Sequence, residues 1–246
     1  MNSSYAETLF NFLYKETNGY AVSAKARIDH GESTEHLLYG EITFESWQEI
    51  VRIANPKKDA VFFDLGSGTG KPAMLSHLAF DFKKIVGVEL LKGLRDKSLQ
   101  IKNSFDEIIK PQILEYGGLV AVFEPALRCI RNEIAEHVKG RELSFVQSDL
   151  FNVDLAEADF VFLNYPFKTK KLFDELQIKL LTELKAGSKI AIVIKSFNDK
   201  SFNDKSFKPI GDETLKFSWG EAKTYFYEIA GSAKQTTANP YLGADI

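Results

Sequence analysis

Cysteine is almost missing: Cys129 is the sole thiol in 246 residues, which excludes an internal disulfide framework. The four histidines, His30, His36, His77 and His137, are scattered without the spacing that sets two rings on one ion, so no metal site is expected. No apolar run approaches the roughly 18 residues of a membrane span. Met1-Asn2-Ser3-Ser4 also lacks the basic start of a secretory leader, so a soluble, intracellular chain of cytoplasm or nucleus is expected. An excess of one charge is missing too. The balance of 31 basic against 34 acidic residues leaves −3, which argues against holding bare nucleic acid through a strongly basic surface. Any acidic partner must be met by a local patch. Repeats are scarce: Ser-Phe-Asn-Asp-Lys occurs twice from Ser196, followed by Ser206-Phe207, and two copies cannot build a solenoid. The duplication reads as a slip tolerated in a surface loop.

What is present is apolar content, 44% of the chain, enough for one substantial α/β core and a small appendage. Residues 1–55 read as a helical, acidic cap, with Tyr5, Leu9, Phe12 and Leu13 at helical spacing and a second helix from Phe44 to Ile53 before Pro56. Residues 56–232 read as the main domain and 233–246 as a tail. Strands are expected near 60–65, 84–90, 143–148, 158–164 and 188–196, with helices near 72–82, 91–110, 122–139 and 170–184. Two late strands, about 213–219 and 223–230, are expected to share a tight turn at Gly220-Glu221. Between Glu89 and Asp149 there is room for two helices split by Pro111 and Gly117-Gly118, long for one crossover and hence an expected insertion.

The richest segment is Phe62-Phe63-Asp64-Leu65-Gly66-Ser67-Gly68-Thr69-Gly70, with Glu89 closing a second apolar run nineteen residues later. This is a nucleoside-binding βαβ pattern: a glycine turn lets backbone approach a ligand, and Glu89 can accept from two ribose hydroxyls. Spacing separates the ligand classes. A phosphate loop GxxxxGK[ST] fails because Gly66 and Gly70 are one residue too close and Pro72 stands where the hydroxyl belongs. A dinucleotide turn GxGxxG is weakened by Lys71 in the third glycine's place. The D-x-G-x-G-x-G pattern with a distant acid resembles the S-adenosylmethionine site of class I methyltransferases.

Further motifs sharpen that resemblance. Leu38-Tyr39-Gly40-Glu41-Ile42-Thr43-Phe44 stands upstream; Ser148-Asp149-Leu150, Val161-Phe162-Leu163-Asn164-Tyr165-Pro166-Phe167, Ser218-Trp219 and Thr224-Tyr225-Phe226-Tyr227 follow downstream. In this order, over roughly residues 36–230, they resemble the disruptor-of-telomeric-silencing family. Its members are non-SET lysine methyltransferases that modify a core histone on the folded nucleosome. The resemblance implies a class I methyltransferase fold, Rossmann-like, with a seven-stranded sheet, its last strand pair antiparallel and a small N-terminal helical cap. It implies S-adenosylmethionine as cofactor, S-adenosylhomocysteine as product, and a protein substrate, a histone or nucleosome. Tyr39, Gly40, Glu41 and Thr43 would close over the methionine end, Glu41 facing its ammonium. Asp64, Gly66, Ser67, Gly68 and Gly70 would lie below, and Glu89 would bind the ribose. Asp149 would take the adenine amino group and Leu150 pack its ring. Asn164 would stand beside the lysine channel as both a cofactor and a catalytic contact. Trp219 and Tyr225 would form the channel's aromatic walls, with Phe226 the alternative to Tyr225.

A lysine amine with an ordinary pKa near 10.4 must lose a proton before attack; an apolar channel beside a sulfonium favours that loss. The family's nucleosome-acting members carry lysine-rich extensions, whereas the tail here has none and the first 55 residues are acidic. Lys168, Lys170 and Lys171 form the local basic cluster near Asn164. A base methyltransferase using Asn164-Tyr165-Pro166-Phe167, a partial match to N-P-P-[YF], is the competing enzyme reading, and it would need a way to extrude its base. A cofactor-binding regulator without chemistry is the third. Oligomeric state is not written in these motifs.

Overall fold

The computed structural model of the chain describes residues 3–31, 37–109, 125–164, 167, 169–197 and 206–230. Three helices open it: α1 (Ser3–Tyr14), α2 (Gly19–His30) and α3 (Phe44–Ala54). The alternation then begins with β1 (Ala60–Leu65), α4 (Lys71–Ala79), β2 (Phe82–Glu89), α5 (Lys92–Ile109), α6 (Pro125–Val138) and β3 (Glu142–Gln147). It continues through β4 (Phe160–Leu163), α7 (Lys170–Glu183) and β5 (Lys189–Val193), and ends in the hairpin of β6 (Phe207–Phe217) and β7 (Gly220–Ile229).

The seven strands order as β3-β2-β1-β4-β5-β7-β6, parallel as far as β5 and antiparallel at β7 and β6. The order reverses between β1 and β4, so a crevice opens at their carboxyl ends, where open α/β sheets take their ligands. Alternation along the strands divides the core. Phe62, Phe160, Phe162, Ala191, Val193 and Phe226 face the side covered by α1, α3, α4, α5 and α6. Phe63, Leu65, Val161, Leu163, Ile190 and Ile192 face α7, through Phe173, Leu176 and Leu180. Both faces being covered explains the near-continuous apolar runs in β1 and β4.

The cap helices bury themselves in the same core as the strands. Trp47 of α3 is fully buried against Phe62 and Phe162, with ring centroids 5.4 and 5.0 Å away, and its Nε1–H donates to Ser76 Oγ at 3.0 Å. On α1 the buried stripe is Ala6, Leu9, Phe10 and Tyr14, while Phe12, expected on the apolar face, is exposed. α2 is held by small residues: Ala26 meets Gly93 of α5 so closely that a Cβ there would stand 3.0 Å from the Ala26 Cβ.

The late hairpin departs most from the sequence reading. The hairpin loop is Ser218-Trp219, not Gly220-Glu221, because Gly220 already pairs with Phe217 and Glu221 with Lys216. β6 also begins at Phe207, six residues before the expected start, and its exposed edge positions hide the alternation that marks a strand. Pro111, Gly117-Gly118 and the expected insertion lie outside the described residues, as do residues 198–205 of the duplicated pentapeptide and the 233–246 tail. No helix among the described residues is long and apolar enough to cross a membrane, and no metal-holding cluster occurs among them.

Replacing Trp47 with Ala is expected to lower unfolding stability by about 3–5 kcal/mol. Urea unfolding followed by far-ultraviolet circular dichroism measures it.

Candidate active site

The crevice between β1 and β4 contains a cavity of about 320 Å³. Its floor is the turn after β1, where Gly66, Gly68 and Gly70 all take positive φ. Gly68 is also required sterically: a Cβ there would stand 2.8 Å from the Tyr39 ring. Gly66 N–H and Ser67 N–H donate to Val88 O, and Glu89 at the end of β2 completes the turn. Its Oε2 accepts from Gly68 N–H and its Oε1 from Leu91 N–H, both at 2.8 Å. Each carboxylate oxygen keeps a lone pair, so Glu89 both shapes the turn and can receive two hydroxyls.

The roof is the 37–42 loop. Ser218 N–H donates to Glu41 O, Glu41 N–H donates to Ser218 Oγ, and Ile42 bridges to Phe217, so the hairpin of β6 and β7 carries the loop. Gly40 passes under Trp219 with no room for a side chain, since a Cβ would stand 2.3 Å from the indole Nε1. Tyr39 Oη donates to Glu41 Oε1 at 2.8 Å and lies 3.0 Å from Thr69 Oγ1. Lys71 Nζ pairs with Glu41 Oε2 at 2.7 Å, both side chains being largely buried, and also lies over the Tyr14 ring. Glu41, expected to face a ligand ammonium, is thus engaged by a cation of the chain itself.

Asp64 is the acid with an open oxygen. It is 1% exposed, lines the cavity, and its Oδ2 has no partner among the described residues. Burial pushes its carboxyl well above the usual range, the Glu89 charge adds to this, and a hydrogen bond from the Ala73 backbone opposes it. Burial also raises Glu89, against the pull of the Leu91, Gly68 and Leu90 backbone. Two buried acids around one cavity favour a cationic occupant.

The remaining expected residues separate into those that line the cavity and those that do not. Asp149, Leu150 and Asn164 line it; Asp149 Oδ1 also caps the short turn Leu150–Asn152 by accepting Phe151 N–H. Asn164 donates from Nδ2 to Gly40 O at 2.9 Å, and its buried Oδ1 has no partner among the described residues. Thr43 is instead the N-cap of α3, accepting Ser46 N–H. Trp219 stacks on Phe217, and Tyr225 on β7 has Lys223 over its ring; neither is among the cavity's lining residues, nor is Phe226, which is fully buried in the core. Tyr165, Pro166 and Lys168 lie outside the described residues. Lys170 pairs with Asp174 and Lys171 with Glu175, each one turn along α7, the behaviour of a solvated helix start. Phe151, which no motif singled out, also lines the cavity, as do Lys71 after the glycine turn and Phe162 and Phe167 of the Asn164 motif, none of which was expected as a site residue; Phe151 stacks on Phe167 at 5.6 Å.

This donor set fits S-adenosylmethionine. The unpartnered Asp64 oxygen and the two raised acids suit its positive groups, Glu89 suits the ribose, and Leu150 and Phe151 give an apolar bed for a purine.

The raised Asp64 carboxyl makes stability and binding depend on pH. At low pH the carboxyl is neutral folded and unfolded; as pH rises from the ordinary carboxylate range through the raised folded value, the unfolded chain gives up the proton first and stability falls. A cationic ligand reverses that cost. Affinity for S-adenosylmethionine is therefore expected to strengthen as pH rises from the ordinary carboxylate range through that raised value, and Asp64→Asn to flatten the dependence. Calorimetric titration across pH measures both.

Comparison with curated proteins gives no sequence match. The family model described as Histone methylation protein DOT1 matches residues 20–117, which hold the roof loop, the glycine turn and Glu89. Among solved structures, a methyltransferase candidate from Escherichia coli, yhhF, is 11% identical with a TM-score of 0.52, covering 76% of this chain and 86% of that one. The magnesium protoporphyrin IX methyltransferase ChlM of Synechocystis PCC 6803, solved with bound SAM, is 10% identical with a TM-score of 0.50, covering 91% and 90%. At such identities the likeness is one of fold. The chain therefore has the class I S-adenosylmethionine-dependent methyltransferase fold, and within it residues 20–117 resemble the DOT1 histone-methylation family.

Proposed function

We propose that this chain transfers the methyl group of S-adenosylmethionine to the side-chain amine of a protein lysine, with a core histone in the nucleosome as the leading target. The observation that carries this is Asn164. It directly follows β4 and lines the cavity, its amide N–H is committed to Gly40 O, and its Oδ1 is left as a buried acceptor without a partner among the described residues. An incoming amine can donate to that oxygen and turn its lone pair toward the cavity. The match over residues 20–117 to a histone-methylation family supports a histone as acceptor.

The bound donor supplies an electrophilic methyl on a cationic sulfur. The nitrogen lone pair forms the new N–C bond as the C–S bond breaks; sulfur keeps the electron pair as a thioether, and the positive charge passes to nitrogen. The chain's part is placement. Asp64 receives the donor's ammonium, Glu89 its ribose hydroxyls, and Asn164 orients the acceptor. Phe162 and Phe167 line the cavity with apolar surface that disfavours a protonated amine and helps it shed a proton to water first. Rate then comes mainly from alignment.

Incubation with S-adenosylmethionine and separate samples of nucleosomes, free histones, other basic proteins, RNA and DNA tests this by intact mass and methyl counting. Mass steps of one methyl on a protein, mapped to lysine, are expected. Methyl groups appearing on RNA or DNA instead, or on nothing, overturn the reading. Asn164→Ala is expected to lower kcat by about 10²-fold, the scale of a displaced reacting group, while the chain still binds S-adenosylhomocysteine.

A further inference from the structure

The cap helix α2 meets the cavity through small residues. Gly19, Ser23 and Ala26 are its buried positions, and their spacing sets them on one face of the helix. At one end of that face, a Cβ on Gly19 would stand 2.1 Å from Glu41 Oε1 and 2.2 Å from Tyr39 Oη. At the other end Ala26 packs on Gly93 and shares a cluster with Leu91 and Leu94. Ser23 lies between, about 6 Å along the axis from Gly19 and about 4.5 Å from Ala26. It is thus set between the roof loop and the segment that follows Glu89.

Its hydroxyl has nothing to bond there. Ser23 is 1% exposed, lines the cavity that Asp64 and Glu89 share, and its Oγ has no partner among the described residues. A helix offers serine and threonine an internal outlet, the carbonyl one turn back. Thr8, Ser104 and Thr182 of this chain take it, and Ser23 does not. Buried hydroxyls left unmet are costly, so one on a cavity wall points to an occupant that completes it. The chemistry of that occupant follows from Glu89. A carboxylate only accepts, so hydroxyls that give their hydrogens to Glu89 turn their own oxygens to the rest of the site, where a donor must meet them.

We propose that Ser23 is a cofactor-binding residue on the cap helix, its hydroxyl donating to the oxygen of a ribose hydroxyl whose hydrogen Glu89 holds. The inference rests on S-adenosylmethionine as the occupant and is independent of which acceptor is methylated. It also accounts for the small residues on either side: bulk at Gly19 or Ala26 would lift the helix and withdraw the hydroxyl.

Calorimetric titration of the full chain and of Ser23→Ala with S-adenosylhomocysteine and its 2′-deoxy and 3′-deoxy forms tests this. The wild type is expected to bind the parent ligand about fivefold tighter than the variant does, the scale of one neutral hydrogen bond. For one of the two deoxy ligands the pair is expected to bind alike, since the hydroxyl that Ser23 meets is gone. Without ligand the thermal midpoint of Ser23→Ala is not expected to fall, because alanine suits a helix and removes an unmet polar group. Equal affinity of the two proteins for the parent ligand overturns the proposal. A deficit of the same size on all three ligands also overturns it, being the mark of a merely structural residue. The two readings fail separately: a wild type that binds the parent ligand beside an indifferent Ser23→Ala removes only this inference, whereas a wild type that binds none of the three removes the cofactor assignment and this inference with it.

Discussion

The carboxylate of Glu89 is the tie on which the site depends. It stands at the end of β2, yet it holds the amides of Gly68 on one side and Leu91 on the other. Hydrogen bonds to a charged acceptor contribute about 1.5–3 kcal/mol each, enough to fix a glycine turn that backbone preference alone leaves loose. Burial works against the charge at the same position, so the side chain that shapes the floor is also an acid drawn toward its neutral form. Asp64 adds to that tension from the neighbouring strand. The site is therefore built with a deficit of positive charge that a cationic ligand makes good.

A second network joins the cap to this floor. Tyr14 Oη of α1 donates to Thr69 O, Tyr39 reaches Glu41 and Thr69, and Lys71 at the start of α4 closes on Glu41. Each partner has its polar group matched, which is the condition under which a buried ion pair avoids a net cost. The consequence for ligand recognition is a division of labour between acids. Glu41 holds the roof to the floor, while Asp64 faces the cavity with an oxygen unused.

The parallel sheet was legible in the sequence because its strands are buried on both faces, so Ala60–Leu65 and Phe160–Leu163 announce themselves as apolar runs bounded by turns. The glycine pattern and Glu89 were legible because they are local. α2 was not marked off, since it packs through alanine and glycine contacts that leave little periodic signal. β6 was shortened because an edge strand carries charge where an inner one carries valine. Lys71 looked like a misfit in a glycine motif, and its partner stands thirty residues earlier in the chain; only the folded loop shows the two together. Trp219 was expected in a channel wall; its position over Gly40 needs the hairpin turn to fall two residues earlier than glycine usage suggests.

The seating of Gly40 beneath Trp219 has a bearing on how the molecule is made. The two are separated by most of the polypeptide, and the bridge from Ile42 to Phe217 spans a similar stretch. During synthesis the early loop can therefore meet only the floor, through Thr69 and Lys71, while the hairpin that covers Gly40 is still to come. Contacts so distant along the chain close late. A growing chain would hold the roof by its floor contacts alone until the last hairpin leaves the ribosome, so the binding chamber gains its outer support in a final step.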